Sequence, residues 1–166
     1  MTQSKSLKSA ALVTVTAAAA MLLIQACGGG ALAQSANDAD PVEGVWDAVI
    51  TVRDCTSGAL ILTARGQEVF HRGGTVTDTN AAPPTSRGVG FGTWRLDGAT
   101  QTYTSRFRFN RYNPDGSFAG TQRVTRLFTL SADGATQTST NTSQMLDAAG
   151  AVLQSGCASD VSTRVF

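Results

Sequence analysis

The sequence predicts an all-β fold, an eight-stranded antiparallel up-and-down barrel, and three observations lead to it. β-branched and aromatic residues are dense after residue 43, where no segment reads as a helix. Turn signals built from Gly, Asn, Asp and Pro recur every ten to fifteen residues. Cys55 stands at the end of the first predicted strand and Cys157 lies within the last one, so the two cysteines can form a disulfide.

The first predicted strand, Val45 to Asp54, places Trp46, Ala48, Ile50 and Val52 on one face. Turns at Thr56-Ser57-Gly58, Arg72-Gly73-Gly74, Asp97-Gly98 and Asn113-Pro114-Asp115-Gly116 separate later strands, and Asn80 to Gly88 is the longest predicted loop. The remaining seven predicted strands are Leu60 to Phe70, Thr75 to Thr79, Gly90 to Leu96, Thr102 to Tyr112, Phe118 to Leu130, Thr136 to Leu146 and Val152 to Phe166.

Strands that follow one another through tight turns must be antiparallel neighbours. Eight of them favour a closed barrel, because closure leaves no unpaired edge, and a sandwich is the alternative. A disulfide between Cys55 and Cys157 favours closure, since the first and last strands are neighbours only in a closed sheet. Two free buried thiols are the other interpretation of this pair.

The N-terminal segment, residues 1–33, is typical of a secretory signal. Lys5 and Lys8 supply the positive region, and an uncharged run from Ala10 to Ile24 follows, too short for a comfortable membrane span. An uncleaved membrane anchor is the alternative. After the signal we expect a short polar linker over 34–42 and the barrel domain over 43–166.

Two processing sites compete within the signal. Ile24-Gln25-Ala26-Cys27 resembles the lipobox of bacterial lipoproteins, which implies lipidation of Cys27 and a membrane-anchored protein. Ala31-Leu32-Ala33 is a small-x-small site that would release a soluble chain starting at Gln34. The sequence thus predicts either an outer-membrane-anchored lipoprotein or a soluble periplasmic or secreted protein, with the first favoured.

The charge balance bears on partners. Both lysines lie in the signal, so from Gln34 onward 11 Arg stand against 12 Asp and Glu. A nucleic-acid partner normally needs a basic face, so we expect none.

Gly44-Val45-Trp46 matches the G-x-W motif that opens the barrel of lipocalins and related calycins. In that superfamily an Arg of the last strand packs over the Trp, and Arg164 is the matching residue here. The resemblance covers these two motifs at the ends of the domain and implies a calycin-like (lipocalin-type) barrel whose base is Trp46 with Arg164. The pair is interpreted as a structural plug, with a ligand floor as the alternative.

Polar side chains lie on the inward faces of three predicted strands: the fifth, which is rich in aromatic residues, the sixth and the seventh. An eight-stranded barrel has room for one small ligand, which polar groups among aromatics would orient. Mutual satisfaction of these polar groups, or exposure at the rim, is the competing explanation. The predicted ligand-contacting residues are Tyr103, Phe107, Phe109, Gln122, Arg126 and Phe128.

No catalytic motif is present. The single histidine, His71, lies beside a turn, and no metal site or cofactor is predicted. Asp47 and Glu68 are the acids noted within predicted strands, where either could face the lumen.

Three functions compete. The leading hypothesis is an exported barrel that binds a small, partly apolar molecule. The others are a barrel enzyme of the isomerase or cyclase type acting on a lipid-like substrate, and a structural or interaction protein of the envelope with a filled barrel. The volume of the lumen distinguishes them.

Overall fold

A computed structural model describes residues 39–166, and this part of the chain is a closed barrel of eight antiparallel strands without a helix. The predicted signal segment and Cys27 lie outside the described residues. The strands are β1 (Gly44–Arg53), β2 (Leu60–His71), β3 (Thr75–Asn80), β4 (Gly90–Asp97), β5 (Thr102–Tyr112), β6 (Phe118–Leu130), β7 (Thr136–Leu146) and β8 (Val152–Arg164). The all-β, up-and-down fold class is confirmed.

Each strand pairs with the strand before and after it, and β1 also pairs with β8, from Trp46 opposite Arg164 to Arg53 opposite Cys157. The Cys55–Cys157 disulfide spans this seam with a Cα–Cα distance of 5.2 Å. The fifth, sixth and seventh strands have the predicted ends, and the ends of the other five differ from the predicted ones by one or two residues. At the last strand, the pairing ends at Arg164, after which only the Val165 amide still donates to the carbonyl of Val45.

The hydrophobic core fills one end of the barrel, which we call the closed end. It gathers the starts of β1, β3 and β5 and the ends of β2 and β6, because antiparallel strands bring alternate termini together. Its rings pack in edge and stacked arrangements, with Tyr103 and Phe128 stacked at 5.2 Å. The buried members at this end are Val42, Trp46, Phe70, Val76, Tyr103 and Phe128, and the cluster continues along β5 through Phe107 and Phe109.

The residues just before β1 cover the closed end. Val42 is fully buried, and its carbonyl accepts a hydrogen bond of 2.8 Å from Nε1 of Trp46. The Tyr103 hydroxyl donates to Asp40 at 2.7 Å, and this contact together with burial raises the pKa of Tyr103. The end of the segment interpreted as a linker therefore makes specific contacts with the barrel.

Within residues 39–166 there is no helix that is long and apolar enough to cross a bilayer.

Candidate ligand site in the barrel lumen

A buried ionic network crosses the middle of the lumen, directly above the aromatic core. Its centre is Arg126 of β6, which is 2% exposed. Arg126 Nε and Nη2 donate to the two carboxylate oxygens of Asp160 at 3.1 and 2.6 Å, and Nη1 donates to Oε2 of Glu68. The three residues occupy inward positions of β6, β8 and β2, so one guanidinium joins three strands. A buried charge is tolerated only when it is paired in this way.

Asp160 is the most completely coordinated acid of this network. Besides Arg126, it accepts hydrogen bonds from Ser139 Oγ at 2.5 Å, Asn141 Nδ2 at 2.7 Å and Ser162 Oγ at 3.1 Å. Burial alone would raise the pKa of Asp160, but the charge of Arg126 and these donors hold it below its ordinary value. Ser139 and Asn141 on the inward face of β7 therefore have a structural explanation, because they solvate a buried carboxylate.

A second ion pair lies beside the first. Arg87, from the loop between β3 and β4, places Nη2 2.5 Å from Oδ1 of Asp78 on β3. The Arg87 guanidinium also lies over the ring of Phe109, 3.6 Å from its centroid. Burial raises the pKa of Asp78, and the charge of Arg87 opposes that rise.

Glu68 is the least satisfied acid of the lumen. It is 4% exposed and lies directly opposite Asp78 in the β2–β3 register. Arg126 is its hydrogen-bond donor and contacts Oε2, while Oε1 accepts no hydrogen bond from the described residues. Burial, reinforced by the charges of Asp160 and Asp78 and opposed by that of Arg126, raises the pKa of Glu68 to about 7.

Above the ionic network the lumen contains a cavity of about 240 Å³. Glu68, Asp78, Arg87, Arg126 and Asp160 contribute to its floor. Leu62 on its wall is 48% exposed, so the cavity reaches solvent at the end opposite the aromatic core, which we call the open end. The apolar part of the wall consists of Ile50, Val52, Leu62, Ala64, Phe107, Phe109, Val124 and Ala158.

A surface concavity of about 310 Å³ lies on the outer wall across β1, β2 and β3, where it is lined by Asp47, Arg65 and Gln67 among others. These three residues are exposed, and Gln67 donates to Asp47 at 2.9 Å. The lumen, which combines enclosure with buried charge, is therefore the better candidate site.

The structure divides the six predicted ligand-contacting residues into two groups. Phe107, Phe109, Gln122 and Arg126 line the cavity. Tyr103 and Phe128 lie below the ionic network, in the closed-end core, and do not reach the cavity. Arg126 is also more than a ligand contact, because it is the cation that links β2 and β8 through their carboxylates.

The predicted barrel-base pair lies together at the closed end. The Arg164 guanidinium stands 4.3 Å from the Trp46 ring centroid. Arg164 also donates to the carbonyl oxygens of Gly134, Glu43 and Pro41. It thus ties the segment before β1 to the β6–β7 turn, and the aromatic core separates it from the cavity.

The sequence indicates Glu68 as a candidate without fixing its orientation, and it does not indicate Asp78, Arg87 or Asp160. Asp160 lies on the same face of its strand as Ser162 and Arg164, and this alternation could have identified it as an inward residue. Arg87 had no such signal, because it comes from a loop. Asp47 faces the outer wall, and His71 is exposed, with Nε2 2.9 Å from Thr77 Oγ1.

Comparison with protein-family models, with curated proteins and with solved structures finds no match for this chain. Its function is therefore argued from the geometry of the lumen.

Two further observations concern metal binding and the buried polar side chains of the barrel. Among residues 39–166, no group of three or more His, Cys, Asp or Glu side chains is arranged to hold a metal ion. Ser105 and Gln137 are fully buried, and their side chains have no hydrogen-bond partner in the part of the chain that the structure describes.

Proposed function

We propose that this protein is an exported, calycin-like barrel that binds one small, partly apolar ligand in its lumen. The observation that carries the proposal is the cavity of about 240 Å³ with an apolar wall above an ionic floor. Ligand sites of small molecules typically combine apolar walls with a few convergent polar groups in this way. A filled structural barrel would have no such space.

The composition of the wall supports a partly apolar ligand. Phe107 and Phe109 of β5 and Val124 of β6 form one side, and Ile50 and Val52 of β1 form another. Burying apolar ligand surface against them is favourable by about 25 cal/mol per Å². The polar groups below, together with Gln122, would fix the orientation of the ligand rather than supply most of its affinity.

The closed end supports the calycin-like assignment. A Trp after the first glycine of β1 packs under an Arg of β8, as the G-x-W resemblance implies. Blocking one end leaves a single entrance at the other, which is the arrangement that a carrier requires. Fold alone does not establish function, so the cavity remains the stronger argument.

The disulfide supports export, because such bonds persist in oxidising compartments. We propose that the signal over residues 1–33 directs the chain out of the cytoplasm, with either lipidation at Cys27 or release after Ala33. The mass of the mature N-terminal peptide, measured on protein from its own host, separates these two routes.

The binding proposal is tested by native mass spectrometry of the protein purified from the envelope of its own host. We expect a mass beyond that of the polypeptide, which dissociates on collisional activation. Ala64→Phe and Ala158→Leu should reduce this bound fraction, because both alanines line the cavity. Thr63→Phe, at an exposed outward position of the same strand as Ala64, is the matched control.

A bound mass retained by both folded lumen variants would contradict the proposal, and so would clean apoprotein from the host. Two lumen variants are included because overpacking can unfold one of them.

One observation favours a second candidate, an enzyme that uses Glu68 as a general acid or base. Glu68 lines the cavity, and its pKa of about 7 suits proton transfer near neutral pH. A carrier returns its ligand unchanged, whereas an enzyme converts it. Chromatography of the displaced ligand after incubation with fresh protein therefore distinguishes the two, and Glu68→Gln should abolish conversion.

A further inference from the structure

The charges of the cavity floor do not balance. The buried or nearly buried ionisable groups of the cavity floor are three carboxylates, Glu68, Asp78 and Asp160, and two guanidiniums, Arg87 and Arg126. Three negative against two positive groups leave one excess negative charge when all are ionised. An uncompensated charge in a low-dielectric site is costly, so the lumen favours the arrival of a positive charge.

The excess negative charge lies at Glu68. Asp160 accepts hydrogen bonds from four side chains, and Asp78 has its own cation in Arg87. Glu68 shares Arg126 with Asp160, faces Asp78 across the strand pair, and leaves Oε1 without a donor. Because Glu68 lines the cavity and its Oε1 has no donor among the described residues, this oxygen is an acceptor available to a ligand.

From this geometry we infer that the ligand is a cation, a protonated amine on an apolar or aromatic body, whose N–H donates to Glu68. The inference rests on the proposed function, since it assumes that the lumen holds a ligand. The body of the ligand would lie against Phe107 and Phe109, which line the same space. A cation near Phe107 gains a further attraction from the negative face of that ring, whereas Arg87 already lies over the ring of Phe109.

A carboxylate ligand fits this lumen poorly. The presence of Arg126 suggests an anion receptor at first sight, but its three guanidinium nitrogens already donate to Glu68 and Asp160. Its charge is therefore shared between two acids. An incoming anion would add a fourth negative group beside three carboxylates, which raises the electrostatic energy of the site.

The test uses three probes of nearly the same shape: 2-phenylethylamine, 2-phenylethanol and phenylacetate. Titration calorimetry at about pH 8 keeps Glu68 ionised. We expect the amine to bind tightest and phenylacetate weakest. Glu68→Gln should weaken amine binding roughly ten- to a hundred-fold, the usual effect of losing a hydrogen bond to a charged group, and leave the alcohol unchanged.

Two further variants make the result specific. Glu68→Asp keeps the charge and should retain a preference for the amine over the alcohol. Asp47→Asn removes a carboxylate from the outer wall of the adjacent strand and should change nothing. Unchanged binding of 2-phenylethanol also shows that the lumen of each variant is folded.

The pH dependence supplies an independent readout. Glu68 faces Asp78 of β3, Arg126 of β6 and Asp160 of β8, with Arg87 beyond Asp78. The pKa of Arg126 is raised and that of Asp160 is lowered, so neither changes its charge near neutrality, whereas the pKa of Glu68 is about 7. Amine affinity should fall between about pH 8 and pH 6 in the wild type and fall much less in Glu68→Gln, where Asp78, whose pKa is also raised, is the remaining carboxylate of the floor that can take up a proton.

The outcomes separate the two proposals. If 2-phenylethanol binds but the amine has no advantage, or if phenylacetate binds as tightly as the amine, the charge inference is wrong while the lumen remains a binding site. If none of the probes binds, the inference is overturned as well. Native mass spectrometry of the host protein then decides separately whether the proposed function survives.

Discussion

At the scale of single residues, the lumen is organised around one guanidinium. Arg126 contacts Glu68 and Asp160 from strands that are 58 and 34 residues away in the sequence. Replacing only one partner of such a group leaves a buried charge unpaired, which is more damaging than removing the whole set. Arg126, which the sequence predicts to contact a ligand, therefore also has a structural role. Glu68 is the better position for a functional test.

Glu68 should make the protein more stable in mild acid than in mild base. Its pKa is raised from 4.5 in the unfolded chain to about 7 in the fold. Between these values the folded state binds more protons than the unfolded state, so the free energy of unfolding falls as pH rises. The difference across this window is roughly 3 kcal/mol from Glu68. Glu68→Gln should flatten this dependence.

Thermal unfolding followed by circular dichroism from about pH 5 to pH 8 measures this slope. Asp78, whose pKa is also raised, contributes in the same direction, and Asp160, whose pKa is lowered, contributes the opposite slope only in stronger acid. Asp47→Asn is the control, since that carboxylate is on the outer wall. A wild-type protein that gains stability from pH 5 to pH 8 would overturn the assignment.

At the scale of elements, the strands differ in how closely they approach one another. Gly92 of β4 faces Phe107 of β5, and a Cβ at this position would lie 1.9 Å from the carbonyl oxygen of Arg106. It would also lie 2.5 Å from the Cα of Phe107, a backbone atom that cannot move without distorting β5. The glycine thus allows the wall beside Phe107 to close, and Phe107 in turn lines the cavity.

Gly92→Ala should therefore lower the free energy of unfolding by about 2 to 3 kcal/mol, the usual cost of forcing a methyl group into a tight contact. Gly98→Ala is the matched control, because its Cβ would meet no heavy atom within 4 Å. Urea unfolding of both variants measures the difference. Equal midpoints for the two would show that β4 and β5 separate easily at this point.

At the scale of the whole molecule, closure depends on the seam between β1 and β8. The strands that form it lie at opposite ends of the described chain, and the Cys55–Cys157 disulfide joins residues 102 apart. A covalent link of this length restricts the unfolded chain strongly, which stabilises the fold by about 4 kcal/mol in the chain-entropy description. The bond lies at the open end, close to the cavity that includes Cys157 in its wall.

Replacing both cysteines by serine should lower the free energy of unfolding by about 4 kcal/mol, as measured by urea unfolding. Dithiothreitol should have a similar effect on the wild type and none on the double variant, which separates the bond from the side-chain change. If reduction leaves the urea midpoint of the wild type unchanged, the seam is held by strand pairing alone.

How much of the fold the sequence could predict depends on how far apart in the chain the residues of each pattern lie. Alternation along β1 and β5 identified Trp46 and Phe107 as inward residues, since strand periodicity needs only neighbouring positions. The resemblance through Gly44-Val45-Trp46 brought Arg164 to the same end of the barrel, where the structure places it. Tyr103 and Phe128 share the inward parity of Phe107, but height along the barrel depends on register, and periodicity does not reveal it.

The sequence by itself determined the all-β class, the eight strands, their antiparallel order and the cysteine pair, because turn residues and period-2 alternation are local properties of the chain. Only the tertiary structure decided which polar residues meet. The registers of four strand pairs in the closed sheet bring Arg126 beside Glu68 and Asp160, and Arg87 contacts Asp78 from a loop. The ion pairs inside the barrel depend on how the sheet closes, because closure brings together residues that are far apart in the sequence and that share no local pattern.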